Sequence, residues 1–370
     1  MSPDPQRSNA RVRFENLRGR PLDLINGGPR PSVFEERGEF PAYGADALRW
    51  GLLAMASSQD VRFSEERIAQ GLQLTNKLWN AARLILLGVG PDARAAVRPT
   101  AVEDRWILSR LERAKAEANG RIDRYDFSHA ALALYDFVYG ELCDWYLELV
   151  KPRLRATEPE VSATLLHVLV QTLVLAHPVI PFVTEEIYGY VPGSEELLAG
   201  GIALESAPVD DHAEVSLGRM IEAVQALRAW RDFNGVRAGA TLPARLSADG
   251  YDETREHLAR LARLSFTRPD GSGAAHSGEP GGRVGGKPEG AAPAVSVPIP
   301  GGTVEFLPGP ELDLGAAERK RAAHRAKLEA EIERSERKLA NEGFVANAPA
   351  EVVDAERRKL EQLREELEAL

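Results

Sequence analysis

The sequence predicts a mainly α protein: an antiparallel helical bundle, a small α+β unit and a C-terminal antiparallel coiled-coil hairpin. Three observations predict it. Between residues 41 and 193, apolar side chains recur at the i, i+3, i+4, i+7 spacing of amphipathic helices. After Gly193 the texture shifts to short mixed elements in which β-type runs alternate with helices. From Ala316 to the end the chain is nearly all Ala, Glu, Arg, Lys and Leu, with apolar residues at alternating spacings of three and four. At 370 residues the chain exceeds what one core supports, since single cores rarely grow past roughly 250 residues, so several domains are expected.

Residues 1–40 are rich in Arg, Pro and Gly without sustained periodicity, and they read as a loosely ordered lead-in of which little packs. The bundle, 41–193, opens with Ala45, Leu48, Leu52, Leu53 and Met55 at helical spacing. A second helix begins near Ser64, whose hydroxyl can cap it, and runs to about Leu87. After a break over 88–99, helices are expected over 102–119 and 128–149, with Asp126 and Ser128 as candidate caps. A last bundle helix, 160–176, stops where Pro178 and Pro181 remove backbone donors. The α+β unit, 194–310, comprises helices over 215–233 and 252–261 and strands near 244–246, 264–267, 294–299 and 304–307. Residues 268–293, dominated by Gly, Pro, Ala and Ser, cannot bury enough apolar area to offset ordering entropy and are expected to form a flexible insertion. In the final segment, 311–370, Leu328, Ile332, Ser335 and Leu339 form one stripe and Val353, Leu360, Leu363, Leu367 and Leu370 another, while Asn341-Glu342-Gly343 supplies the fold-back.

Composition narrows the function. With 44% hydrophobic and 28% charged residues, the chain reads as an ordinary soluble protein. The longest apolar stretch, 165–183, is interrupted by His167, Gln171, Thr172, His177 and two prolines, which marks a core helix and not a membrane span. The first nine residues carry no apolar run and Cys143 is the single cysteine, so a cytoplasmic location without disulfides is expected. A net charge of −10 argues against a general nucleic-acid binder, although it leaves room for a local basic face.

Five motifs carry a resemblance. Y-G-A-D-A-L-R-W from Tyr43 and N-K-L-W-N-A-A-R from Asn76 are followed by E-L-C-D-W-Y-L-E-L-V-K-P from Glu141, with H-P-V-I-P-F-V-T-E-E-I-Y after it, from His177. K-L-A-N-E-G-F-V-A-N-A-P from Lys338 lies between the two C-terminal stripes. In order and approximate spacing these resemble the C-terminal region of valine–tRNA ligases: an anticodon-binding helical bundle of the class I tRNA-ligase type, then a tRNA-binding coiled coil. The run around Cys143 points to the valine branch in particular. The resemblance implies tRNA, a valine isoacceptor, as partner and a separate catalytic ligase chain as a second one. For the complete family enzyme it implies ATP and magnesium; no cofactor and no metal site are expected in this chain.

Within these motifs Trp79, Trp106, Trp145 and Tyr146 sit among apolar residues at helical spacing and are assigned to the core. His177 precedes a proline with no metal-ligand cluster beside it and is assigned to a helix end. The candidate tRNA contacts are the cations Lys77, Arg83, Lys151 and Arg153, at or near helix ends, and Phe344, at the turn of the hairpin.

No catalytic residues are expected. Class I ligases hold ATP with an H-x-G-H motif and a K-M-S-K-S loop, and neither is present; none of the seven histidines lies within three residues of another. Pro21-Leu22-Asp23-Leu24-Ile25 resembles the stretch after the second motif, which places the degenerate loop at Ala10-Arg11-Val12-Arg13-Phe14. The sequence therefore reads as the tRNA-binding portion of a valine–tRNA ligase, inactive in aminoacylation by itself. The alternatives are a free-standing paralogue acting as an interaction or regulatory module, or a decaying copy; a helical scaffold without RNA partner would show no salt-dependent tRNA binding.

Overall fold

The computed structural model describes residues 26, 28–29, 39–55, 64–90, 92–99, 101–194, 197–266, 295–308, 314–341 and 350–368. It is mainly helical with a small mixed sheet, and it divides into two compact units, Met1–Leu217 and Gly218–Leu370. Most of the lead-in with the expected degenerate loop at 10–14, the expected insertion 268–293 and the expected hairpin turn with Phe344 lie outside the described residues.

In the first unit, β1 (Gly28–Pro29) pairs antiparallel with β2 (Glu39–Phe40). Phe40 is buried against Tyr43, Ala47 and Ile68, so the end of the lead-in is tied to the helices that follow it. Helices α1 (Ala45–Leu53) and α2 (Glu65–Gly88) pack at close range because each offers a glycine. A Cβ on Gly71 would stand 2.7 Å from the Ala47 carbonyl oxygen, and one on Gly51 would stand 2.8 Å from Ile68. The Ser64 hydroxyl accepts from the Arg67 amide at 3.3 Å, the cap that the sequence predicts.

Helix α3 (Val102–Ile122) leads through a tight turn to α4 (Phe127–Asp136). Of the two candidate caps, Asp126 takes the role and accepts from the His129 amide at 3.4 Å. The expected helix 128–149 is longer and is not α-helical throughout. After α4 the backbone widens into a ten-residue π-helical stretch, Phe137–Tyr146, and then returns to α5 (Leu147–Arg155). Apolar residues here recur every four positions: Leu134, Val138, Leu142 and Tyr146 are all buried. A spacing of four drifts off one face of a 3.6-residue turn and stays aligned when i→i+5 turns widen it.

Helix α6 (Pro159–Ala176) is long and apolar enough to cross a membrane by length and composition, yet 78% of that window is buried inside the fold, which makes it a core helix. The prolines beyond it do more than end it. Pro181 sits at the first position of α7 (Pro181–Tyr188), where a missing N–H costs nothing, so this helix escapes a reading that treats proline only as a stop. Asp46 on α1 accepts from the amides of Phe182 at 3.2 Å and Val183 at 2.7 Å, and Arg49 donates to the carbonyls of Val179 and Pro178 at 3.2 and 3.0 Å. The motif at Tyr43 and the motif at His177 thus form one joint. His177 closes it: its Nδ1 lies 2.9 Å from the Thr184 hydroxyl, in keeping with its expected helix-end role.

Helix α8 (Asp211–Phe233) runs across the division into the second unit. There β3 (Leu242–Ala248), α9 (Arg255–Ala262), β4 (Leu264–Phe266), β5 (Val295–Ile299) and β6 (Gly302–Phe306) build a four-stranded sheet of order β4-β3-β6-β5. Only β3 and β4 are parallel, joined through α9; the other pairs are antiparallel, in the register Leu246↔Val304 and Val297↔Val304. Trp230 on α8 stacks on Phe306 with centroids 4.3 Å apart, seating the helix on the sheet. The C-terminal helices are α10 (Leu314–Ala340) and α11 (Ala350–Glu368). Lys338 pairs with Glu356 at 2.7 Å and Arg364 with Glu336 at 2.6 Å; Leu328, Val353 and Leu363 are buried.

Candidate nucleic-acid interface

The buried stripe of α2 is Ile68, Gly71, Leu74, Leu78, Ala81, Ala82 and Ile85. Three large apolar residues of the same helix fall off that stripe and face solvent: Trp79 is 38% exposed, Leu84 41% and Leu87 76%. Asn76, Asn80 and Arg83 are exposed among them. Apolar surface interleaved with amides and a guanidinium on one helix face is suited to unstacked bases and phosphate, and it is poorly explained as solvation. Trp79 therefore corrects the core assignment, whereas Trp106 and Tyr146 are buried and Trp145 half-buried, as expected.

Trp79 meets Tyr190 edge to face, with centroids 6.2 Å apart. Beside this pair opens a groove of about 430 Å³, lined by Tyr43, Asp46, Asn76, Trp79 and Phe182 among others. Phe182 is 65% exposed and Tyr190 62%. Sequence reasoning missed Trp79, Leu84, Leu87, Phe182 and Tyr190. The signal for the first three was there: in N-K-L-W-N-A-A-R-L-I-L-L the apolar positions outnumber what a single 3.6-period stripe can bury.

The four predicted cations divide. Arg83 is exposed and makes no hydrogen bond or ion pair among the described residues. Lys77 lies 2.8 Å from Asp144, with both side chains substantially exposed, and its ammonium sits 4.9 Å from the Tyr139 ring centroid. The hydrogen bond to Asp144 raises its pKa above the ordinary lysine value, so it stays charged. Tyr139 stacks on Tyr135 at 4.4 Å, and burial pushes its hydroxyl up to about 12. Lys151 is paired with Glu148 one turn earlier. Such exposed pairs are worth little and can exchange for a phosphate.

Arg153 is differently placed. Its guanidinium lies 2.7 Å from Glu103, 2.9 Å from Asp104 and 2.9 Å from Glu158, and Glu103 and Asp104 are fully buried. The Tyr146 hydroxyl donates to Asp104 at 3.0 Å. Burial outweighs the guanidinium's pull and holds the Asp104 carboxyl above the usual carboxylate range. In this arrangement Arg153 is an internal counter-ion tying the start of α3 to the end of α5 and the turn after it, not a cation presented to a phosphate. Its spacing beside Lys151 in K-P-R gives no hint of that, because the two buried partners lie about fifty residues away.

Residues 104–246 match the family model of the anticodon-binding domain of tRNA ligases, and residues 315–370 match the valyl tRNA synthetase tRNA binding arm. The valine–tRNA ligase of Brucella suis biovar 1 is 35% identical over 346 residues, covering 87% of this chain and 36% of the relative. That of Dehalococcoides mccartyi strain 195 is 33% identical over 345 residues, covering 89% and 38%. The chain thus spans a little over a third of the length of these relatives. Among solved structures, a ternary complex of Agrobacterium radiobacter K84 agnB2 LeuRS with tRNA and LeuAMS is similar over 46% of this chain and 21% of that one, at a TM-score of 0.36 and 19% identity. On the two family matches and the extended similarity to these relatives, the chain belongs to the valine–tRNA ligase family, of which it represents the C-terminal region.

Proposed function

We propose that this chain binds valine tRNA, with the α2 face and its groove reading the anticodon arm and the α10–α11 segment, as an antiparallel coiled-coil hairpin tipped by Phe344, lying on the outer corner of the tRNA. The observation that carries the reading is the solvent-facing row Asn76, Trp79, Asn80, Arg83, Leu84 and Leu87, in a chain whose other segments match an anticodon-binding domain and a tRNA-binding arm. Arg83 and Lys77 supply charge for phosphates, and Trp79 and the Tyr135–Tyr139 pair offer flat faces for bases. Attachment of valine belongs to a catalytic domain carrying the H-x-G-H and K-M-S-K-S motifs with ATP and magnesium, working in the cytoplasm.

The test is binding of the purified chain to valine tRNA and to a non-cognate tRNA over a salt series, beside a Lys77→Ala/Arg83→Ala/Lys151→Ala variant. Arg153 is left intact, because its loss would report folding. We expect a cognate preference in the wild-type chain and, in the triple variant, affinity lower by at least about tenfold with a shallower salt dependence. Absence of binding at low salt, or equal binding of both tRNAs, overturns the reading.

A further inference from the structure

In the Gly218–Leu370 unit, five arginines converge on one corner. Arg228 donates from Nε and Nη2 to the Leu261 carbonyl at 3.4 and 3.3 Å. Arg231, buried, donates to the carbonyls of Arg263 at 3.5 Å, Arg237 at 3.3 Å and Ala240 at 2.6 Å. The end of α8, the loop behind it and the turn closing α9 are thereby brought together, and Arg228, Arg237, Arg260 and Arg263 are exposed around them. Asp232 is the acidic group that bears on Arg231, and Glu256 lies one turn before Arg260 on α9. Burial and the charge of Arg263 lower the Arg231 pKa from its ordinary value. A chain of net charge −10 thus concentrates like charges at one place, against its own electrostatic preference.

A second observation is independent of charge. Arg263 adopts φ 54°, ψ 58°, a left-handed conformation in which glycine is the usual helix-ending residue. Its amide donates to Arg260 and its carbonyl accepts from the Leu242 amide at 3.0 Å, and both bonds are main-chain bonds a glycine would make as well. The side chain is exposed and makes no hydrogen bond or ion pair among the described residues. A strained residue whose side chain does nothing for the turn points to a role outside the fold.

We propose that this corner of the α+β unit is a second RNA contact, in which Arg263, with Arg228, Arg237 and Arg260 around it, grips the phosphate backbone of the tRNA. The inference rests on the tRNA-binding reading and adds a surface to it. A planar guanidinium offers paired N–H donors that match phosphate oxygens, and backbone contacts position an RNA without reading its sequence.

The experiment measures binding of the full chain to fluorescent valine tRNA over a potassium chloride series, with thermal melting in parallel, for wild type, Arg263→Gly, Arg263→Lys and the double variant Arg263→Gly/Arg237→Gln. Arg263→Gly relieves the backbone, so it is expected to melt at or above the wild-type temperature. It is nonetheless expected to bind roughly threefold to tenfold more weakly, with a slope of log K against log salt shallower by about one. Arg263→Lys keeps a charge and is expected to retain most of the affinity. Wild-type affinity and salt slope in the double variant overturn the proposed surface and leave the tRNA-binding reading standing, as they would if the corner served an acidic protein instead. Failure of the wild-type chain to bind overturns both.

Discussion

At the scale of single residues, partners decide what a charge can do. Arg153 looks in the sequence like its neighbour Lys151, but it is the counter-ion of two fully buried carboxylates. Removing it leaves those charges unpaired in a poorly solvated place, a situation that costs about 3 kcal/mol or more. Arg153→Gln is therefore expected to lower the melting temperature sharply at pH 7, while Lys151→Ala barely moves it. The pH dependence comes from the direction of the shift. Asp104 already holds its proton more tightly in the fold than in the open chain. Without the guanidinium it holds it more tightly still, so the folded variant binds more protons and gains stability as pH falls from 7 towards 5. A melting series in which the variant gains nothing on acidification would count against this account. Asp126 behaves oppositely: the hydrogen bond from His129 first, and Arg121 with it, hold its carboxyl down to about 2. Its contribution is complete above the ordinary carboxylate pKa, near 4, and is lost as pH drops through about 2, so Asp126→Ala is expected to flatten the acid limb of the wild-type melting curve in that window.

At the scale of elements, periodicity made most helices legible and failed where backbone geometry or distant joints intervene. The α2, α3 and α6 boundaries follow the apolar spacing and the Ser64 cap closely, because a helix packed on one side must keep its apolar face aligned. The π-helical stretch escapes the i, i+3, i+4, i+7 reading of residues 128–149, since Leu134, Val138, Leu142 and Tyr146 repeat every four residues. The α7 helix was missed because Pro181 looks like a terminator until Asp46, more than a hundred residues earlier, is seen to accept from the first amides of that helix. In the candidate interface, Lys77 and Arg83 were legible as cations in a motif; the aromatics around them were not, as a tryptophan among leucines reads as core until the core is seen to be full. The α1–α2 joint carries a prediction of its own. Gly71 sits where any Cβ would press on the Ala47 backbone, which cannot rotate away, so Gly71→Ala must part the two helices. Overpacking of this kind costs about 1–3 kcal/mol. Gly140, around which a Cβ meets nothing within 4 Å, is the control: Gly140→Ala is expected to leave the melting temperature unchanged or slightly raised. Equal melting of the two variants would show that the joint is looser than its geometry implies.

At the scale of the whole chain, affinity and selectivity for an RNA should come from different segments. A molecule carrying −10 repels a polyanion at long range, but at physiological salt that repulsion fades beyond roughly 8 Å, and local cationic faces decide the encounter. Phosphate contacts then position the RNA, while contacts to splayed bases discriminate. The α2 face has the groove, the amides and the aromatic surface that discrimination needs. The α10–α11 segment has ion pairs and a narrow apolar seam, features that build a rod more readily than a reader of bases. Deleting residues 314–370 is therefore expected to weaken binding to valine tRNA and to a non-cognate tRNA by the same factor, leaving their ratio intact. Trp79→Ala/Asn80→Ala, which removes an exposed aromatic face and an amide from α2, is expected to reduce the ratio itself. Equilibrium binding of both tRNAs to both variants separates these outcomes. If the deletion erased the preference and the α2 substitutions spared it, the reading face would have to be sought in the C-terminal segment, and the exposed row on α2 would need another partner.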